Sequence, residues 1–288
     1  SIIFKIYFFS IILLAKKGVE LMIEHINLFT GEILRKILEK QEKKVSYFTP
    51  TKPSRLFDFL KKIKKIKTKF DYKSYDLIVF VDFSSYSRLR PFTEKDNTYF
   101  GQKNIVVIDH HPDDKLPSHA IIHKDVDAMS TAEIIFELAQ KLRKKYLDKE
   151  IATDFYLGLV TDSGNFLFDQ DHERIFQNAL ALVQLGADKK FINNNIIRKK
   201  SLNQIQFLGE MIKRIQIQGN ILCSYYEKKD LQKYNIDEEE AGYGLVVMQN
   251  IDGPKVTAMF KKNLSAIKCS LRCKDNAIDC NSIAKNFG

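Results

Sequence analysis

The run Asn104-Ile105-Val106-Val107-Ile108 ends at Asp109, His110 and His111. A strand covered on both faces reads as a continuous apolar run, so residues 105–108 are expected to form a buried strand. Residues 77–81 form a second such run, closed by Asp82. Segments with helical spacing, such as residues 30–41 and 130–141, alternate with such runs along the chain, and strands alternating with helices imply a parallel sheet with right-handed crossovers. In an open α/β sheet, ligands and metals bind at the carboxyl edge of the strands. One acid and two imidazoles in consecutive positions at that edge are hard to explain by packing.

The rest of the chain extends the pattern. Residues 18–24 read as a first strand with His25 at its end. Residues 30–41 carry Ile33, Leu34, Ile37 and Leu38 at helical spacing, with Thr30 as the cap. Residues 45–48 suit a short strand and 55–66 a basic amphipathic helix. Residues 130–141 suit a helix, with Glu133 placed three residues after Ser130 as in a capping box. The segment 151–161 is apolar and compact, and it leads into Asp162-Ser163-Gly164. Helical patterns then run to Leu185 and stop at Gly186. Beyond about residue 218 the character changes. Residues 221–226, 244–248, 256–261 and 266–271 are short strand candidates in a smaller α+β domain. A helical connector over 191–218 would join it to a larger domain over 20–190, leaving 219–288 as the smaller one.

Charge and cysteine content narrow the class. A net charge of +10 favours a polyanionic partner, although a lysine-rich proteome would give the same balance. The lysines at 61, 62, 64, 65, 67 and 69 form the densest local run, which reads as a solvated face. Cys223, Cys269, Cys273 and Cys280 are too few for a disulfide framework, and no CxxC pair occurs. They are expected to be reduced thiols in a cytoplasmic protein, with a zinc site as the alternative. Residues 1–19 open with an apolar stretch too short for a confident membrane span. No cleavage site follows it, so a buried strand or a non-native start is expected rather than an anchor.

Asp82 ends one buried strand and Asp109 to His111 end another, while Asp162 follows a third apolar segment. Taken singly, Asp82 is equally well explained as a strand-end turn residue, and Asp162 as the start of a turn. As parallel neighbours the three segments would deliver five side chains to one edge. Carboxylates with imidazoles suit Mn²⁺ or a similar divalent ion. Two such ions activate a water and clamp both oxygens of a phosphoester during in-line displacement.

The stretches that carry this chemistry are Val81-Asp82 with residues 84–89, Val107-Ile108-Asp109-His110-His111-Pro112, Ser130-Thr131-Ala132-Glu133, and residues 158–166 (GLVTDSGNF). Together they resemble the DHH phosphoesterase family, in particular its oligoribonuclease and 3'-phosphoadenosine-5'-phosphate phosphatase branch, which is related to the RecJ exonucleases. The resemblance spans about residues 20–288 and implies two lobes. The first is a parallel-sheet α/β lobe with helices on both faces that holds two Mn²⁺ ions. The second is a smaller α+β lobe that grips the nucleotide. It also implies that Asp82, His110 and Asp162 are metal ligands, that Asp109 supports them, and that His111 lies close to the scissile phosphate. Residues 270–288 resemble the start of the family's C-terminal substrate domain, where Arg272 matches a basic residue that contacts substrate.

Two departures qualify the resemblance. The family's first motif is a His followed by two Asp; here His25-Ile26-Asn27 is followed by Leu28-Phe29-Thr30-Gly31-Glu32, with no aspartate. His25 is then a candidate ligand, and Glu32 either a partial substitute or an ordinary first-turn helix acid. Loss of two carboxylates would leave one metal rather than two. The chain also stops where the family continues into a glycine-rich stretch containing a His, so the substrate domain is expected to be truncated. The expected activity is hydrolysis of short RNA or DNA oligonucleotides, or of a nucleoside bisphosphate. The alternatives are a catalytically impaired nucleotide-binding relative and a cyclic-dinucleotide phosphodiesterase. No stable membrane association is expected, and a homodimer is left open.

Overall fold

The apolar runs lie at the centre of a five-stranded sheet in a computed structural model that describes residues 19–23, 28–49, 52–60, 66–68, 75, 77–82, 104–111, 119–142, 144–167, 172–262, 267–275 and 277–286. The strands are β1 (Val19–Ile23), β2 (Val45–Phe48), β3 (Leu77–Val81), β4 (Asn104–Asp109) and β5 (Ile121–Lys124). Their order is β2-β1-β3-β4-β5 and every pairing is parallel. The direction of winding reverses between β1 and β3, the switch point at which doubly wound sheets bind their ligands. All of β3 is buried, as is β4 from Ile105 to Asp109. Val81 pairs with Ile108, so Asp82 and Asp109 leave the sheet level with each other. The Asp82 amide extends the ladder by one bond, to the Ile108 carbonyl at 2.9 Å.

Five α-helices lie in this unit among the described residues: α1 (Leu28–Glu39), α2 (Thr131–Leu142), α3 (Lys149–Asp162), α4 (His172–Gln184) and α5 (Lys189–Ile192). Thr30 is buried within the first turn of α1 and does not cap it. Residues 151–161, read from sequence as a third strand-like segment, are helical. The Asp148 side chain caps α3 by accepting from the Ile151 amide at 2.9 Å. This helix is covered on nearly every side, and burial all round erases the 3.6-residue alternation that would reveal it. Asp162 therefore arrives from a helix C-terminus rather than a strand end.

Two contacts fix α3. Lys36 of α1 reaches the carboxylates of Asp154 and Glu150, and both Lys36 and Asp154 are buried. Further along, a Cβ placed on Gly158 would stand 2.7 Å from the Ala132 Cβ, so α2 and α3 touch through that glycine. Gly158→Ala is expected to destabilise the protein by about 1–3 kcal/mol, because overpacking outweighs the helix propensity gained. A urea midpoint equal to or above that of the parent would contradict it.

The described residues of the second unit fall within Ser54–Phe59 and Ile196–Gly288. Its sheet runs β6 (Gln216–Gln218), β7 (Ile221–Glu227), β8 (Val256–Lys262), β9 (Ile267–Cys273), with β7 and β8 parallel and the outer pairs antiparallel. Its helices among the described residues are α6 (Leu202–Lys213), α7 (Lys228–Tyr234), α8 (Glu238–Gln249) and α9 (Cys280–Lys285). The core of this unit includes Phe207, Met211, Leu222, Tyr226, Leu245 and Met259. Residues 244–248 belong to α8 and are not a strand; Asp237 and Glu240 form its capping box. The expected helix over 55–66 is, in its described part, a 3₁₀ turn at Arg55–Phe57 followed by bends. Those residues form a strap within the second unit. Ser54 Oγ donates to Asp237 Oδ2 at 2.8 Å, and Arg55 Nη2 bonds the Asn235 carbonyl at 2.7 Å and Glu240 Oε2 at 2.8 Å.

The four cysteines are not all reduced thiols. Cys273 and Cys280 form a disulfide, because the turn after β9 brings the start of α9 back beside the strand end, while Cys223 and Cys269 are free. His25, residues 1–18 and residues 83–103 lie outside the described residues. Among the described residues, no helix is long and apolar enough to cross a membrane.

Candidate metal centre

The carboxyl ends of β3 and β4 bring Asp82, Asp109, His110 and His111 together. Ligand atoms of Asp82, His110 and His111 all lie within 4.8 Å of one another. His110 Nε2 is 3.5 Å from Asp82 Oδ1, and His111 Nδ1 is 3.8 Å from the same oxygen. Asp109 Oδ1 accepts from the His110 amide at 2.8 Å and from His111 Nδ1 at 2.7 Å. A carboxylate only accepts, so His111 carries a proton on Nδ1. His110 Nδ1 is 3.2 Å from the Ala128 carbonyl, which also only accepts. That contact puts the His110 proton on Nδ1 and leaves Nε2, the nitrogen nearer Asp82, with a lone pair.

Asp162 completes the cluster electrostatically. Burial raises its carboxyl well above the ordinary aspartate range, and the charge of Asp82 raises it further. Its Oδ2, like that of Asp109, is buried without a hydrogen-bond partner among the described residues. Buried carboxyl oxygens left unbonded and packed near like charge are costly unless a cation answers them. Burial, followed by the neighbouring His111, lowers His110 below the usual histidine value and favours the neutral ring that a metal ligand needs. Buried carboxylates, a neutral imidazole and a lone pair aimed at Asp82 fit a divalent cation.

The backbone here is strained. Asp82 sits at φ 56°, and Gly164, Asn165 and Phe166 follow Asp162 at φ 58°, 63° and 64°. Only glycine adopts this region freely, and such outliers persist where surrounding contacts over-determine them. Ser163 Oγ supplies one such contact, accepting from the Phe166 amide at 2.9 Å.

Several residues supporting the site were not singled out as such in the sequence. Thr131 Oγ1 donates to Asp82 Oδ1 at 3.0 Å. Ser130 caps α2, its Oγ accepting from the Glu133 amide at 3.1 Å. Glu133 departs from the expected capping box: its Oε2 accepts from the Met129 amide at 2.8 Å. The motif Ser130-Thr131-Ala132-Glu133 held these residues in view, as a helix start and as one of the stretches that carry the family resemblance, without assigning them these contacts. Both oxygens of Glu32, the candidate partial substitute for the missing aspartates, accept from Arg35, at 2.8 Å and 2.6 Å. Arg272 is exposed on β9 of the second unit, with Nη1 bonding the Leu271 carbonyl at 2.9 Å.

The chain is similar to known proteins in sequence and in fold. Residues 20–159 match the model of the DHH family, N-terminal domain. The chain is 25% identical over 259 residues to the bifunctional oligoribonuclease and PAP phosphatase NrnA of Bacillus subtilis, covering 88% of this chain and 79% of that protein. It is 26% identical over 215 residues to the NrnA protein of Mycoplasma pneumoniae, covering 74% and 64% respectively. In fold, an exopolyphosphatase-related protein from Bacteroides fragilis superposes with a TM-score of 0.86 at 19% identity, over 100% of this chain and 87% of that one. Exonuclease RecJ bound to manganese gives 0.51 at 11% identity, over 93% and 80%.

Proposed function

We propose that this chain, whose residues 20–159 match the N-terminal domain of the DHH family, is a divalent-cation-dependent phosphoesterase acting on short oligonucleotides or on 3'-phosphoadenosine-5'-phosphate. The observation that carries the proposal is the convergence of Asp82, His110 and His111 within 4.8 Å, beside the buried carboxyl of Asp162. Asp82, His110 and Asp162 are the proposed cation ligands, with His25 as a further candidate outside the described residues. Mn²⁺ suits this mixture of carboxylate and imidazole. When bound, it supplies Lewis-acid polarisation of a phosphoryl oxygen and lowers the pKa of a water.

The chain's own side chains place protons and charge. Asp109 holds the His111 ring through Nδ1 and stabilises the imidazolium when the ring gains a proton. His111 is partly exposed, so its ring is accessible to substrate for donation to a phosphoryl or leaving oxygen. Arg272 offers an exposed guanidinium, a planar fork suited to phosphate, as the proposed substrate contact of the second unit. The surplus of ten positive charges favours an anionic substrate.

A second reading, a nucleotide-binding relative with impaired hydrolysis, is favoured by one observation: both oxygens of Glu32, the candidate substitute for the missing aspartates, are engaged by Arg35. One experiment separates the two. The full chain is titrated with Mn²⁺, then assayed against short RNA, 3',5'-bisphosphoadenosine and cyclic di-AMP in parallel. Mn²⁺-dependent product from the RNA or the bisphosphate is the expected result. Mn²⁺ binding without turnover of any substrate would favour the second reading, and turnover of cyclic di-AMP alone would move the proposal to that substrate class.

A further inference from the structure

We propose that Glu133 is a positioning residue for His110: it holds the Ala128–Met129 peptide, and that peptide's carbonyl decides which ring nitrogen of His110 faces Asp82. The inference rests on reading His110 as a cation ligand. The two bonds share one peptide unit. Its carbonyl end accepts from His110 Nδ1 at 3.2 Å, and its amide end donates to Glu133 Oε2 at 2.8 Å. Rotating the peptide would break both bonds at once, so Glu133 fixes the carbonyl by gripping the opposite end.

Other contacts anchor Glu133 and the turn it holds. Asn178 Nδ2 donates to Glu133 Oε1 at 2.7 Å. Arg174 Nη2 donates to Asp125 Oδ2 at 2.8 Å, while Arg174 Nε donates to Glu137 Oε1 at 2.8 Å. Asp125 then ties the turn at two points, its carbonyl accepting from the Ala128 amide at 3.3 Å and its Oδ1 from the Asp127 amide at 3.2 Å. Helix capping alone does not account for Glu133, because Ser130 already caps α2. The acid is 2% exposed, and its bond to Met129 lies outside the helix, on the side of the metal centre. Backbone carbonyls are common fixers of the non-ligating nitrogen of a metal-binding histidine. Here the carbonyl is itself steered from a helix on the opposite side of the turn.

The test reads the imidazole directly. In ¹⁵N-labelled, metal-free full chain above neutral pH, two-bond ¹⁵N–¹H correlations should show His110 as a single Nδ1–H tautomer. Glu133→Ala should give a tautomer mixture and weaken Mn²⁺ binding by about 10–100-fold, the usual scale for outer-shell loss. Glu133→Gln keeps an oxygen for the Met129 amide and should restore the single tautomer. Should Glu133→Ala fail to fold, Arg174→Ala combined with Asn178→Ala loosens the acid from behind and should show the same mixture. Parental tautomer and Mn²⁺ affinity in Glu133→Ala, or in the double variant should Glu133→Ala not fold, would overturn the inference. Neither readout requires turnover, so failure of the proposed hydrolysis and failure of this inference are told apart.

Discussion

Asp162→Asn is expected to lower Mn²⁺-dependent hydrolysis by more than about a hundredfold, beyond the 10–100-fold scale of outer-shell changes, while the protein stays folded. Asparagine keeps the shape of the carboxyl and removes the charge that would meet a cation. The metal-free fold should not suffer. Burial and Asp82 raise the Asp162 pKa, so the folded state binds that proton more tightly than the unfolded chain. Ionisation of Asp162 therefore costs stability as pH rises above the ordinary aspartate range. The variant escapes that cost, and its metal-free melting temperature should equal or exceed that of the parent, more so at pH 8 than at pH 4. Saturating Mn²⁺ at 100 times Kd stabilises a one-site protein by about 2.7 kcal/mol, and this increment should shrink in the variant. His110→Ala should lose activity to a similar extent. Retained hydrolysis in either variant would sink the ligand assignment.

Lys36→Met is expected to destabilise the protein by about 3–5 kcal/mol, because it strands Asp154 as a buried carboxylate. The pH dependence has a definite sign. Burial pushes Asp154 up to about 6, against the downward pull of the Lys36 ammonium. An acid raised in the folded state contributes a penalty that grows as pH climbs from its unfolded value through its folded one. In the parent that window runs from about 4 to about 6. Removing Lys36 removes the downward pull and extends the window above 6. The gap between variant and parent should therefore be small below pH 4 and widest at neutral to alkaline pH. Lys36→Met with Asp154→Leu should recover most of the loss, since an apolar pair can replace a buried ion pair at little cost. Chemical denaturation across pH measures all of this, and a pH-independent deficit would refute the account.

These two variants act at opposite ends of α3, the element whose type was misread from sequence. The strands were legible because Leu77 to Val81 and Ile105 to Ile108 are buried on both faces and read as unbroken apolar runs. The same logic failed on residues 151–161, where a helix buried on nearly all sides gives an equally unbroken run. In α8 the spacing of Ala241, Leu245 and Met248 is helical, whereas the adjacent β-branched Val246 and Val247 locally favour a strand. The candidate site was legible in part: Asp82, His110 and His111 converge as strand ends should. What holds them was not legible. The Ala128 carbonyl belongs to the backbone and leaves no mark on residue type, and Glu133 looked like any acid in a first helical turn. The Cys273–Cys280 bond depends on a turn whose course local spacing does not reveal.

The strap at Ser54–Phe59 has a consequence in time. It belongs to the second unit, yet 183 residues separate Ser54 from its partner Asp237. At about 5–20 residues per second, a ribosome needs on the order of ten to forty seconds to span that interval. Throughout it the strap has been synthesised and its docking helix has not. The second unit is therefore assembled from segments made far apart in time, and the strap can dock only after the sequence of the first unit has been synthesised.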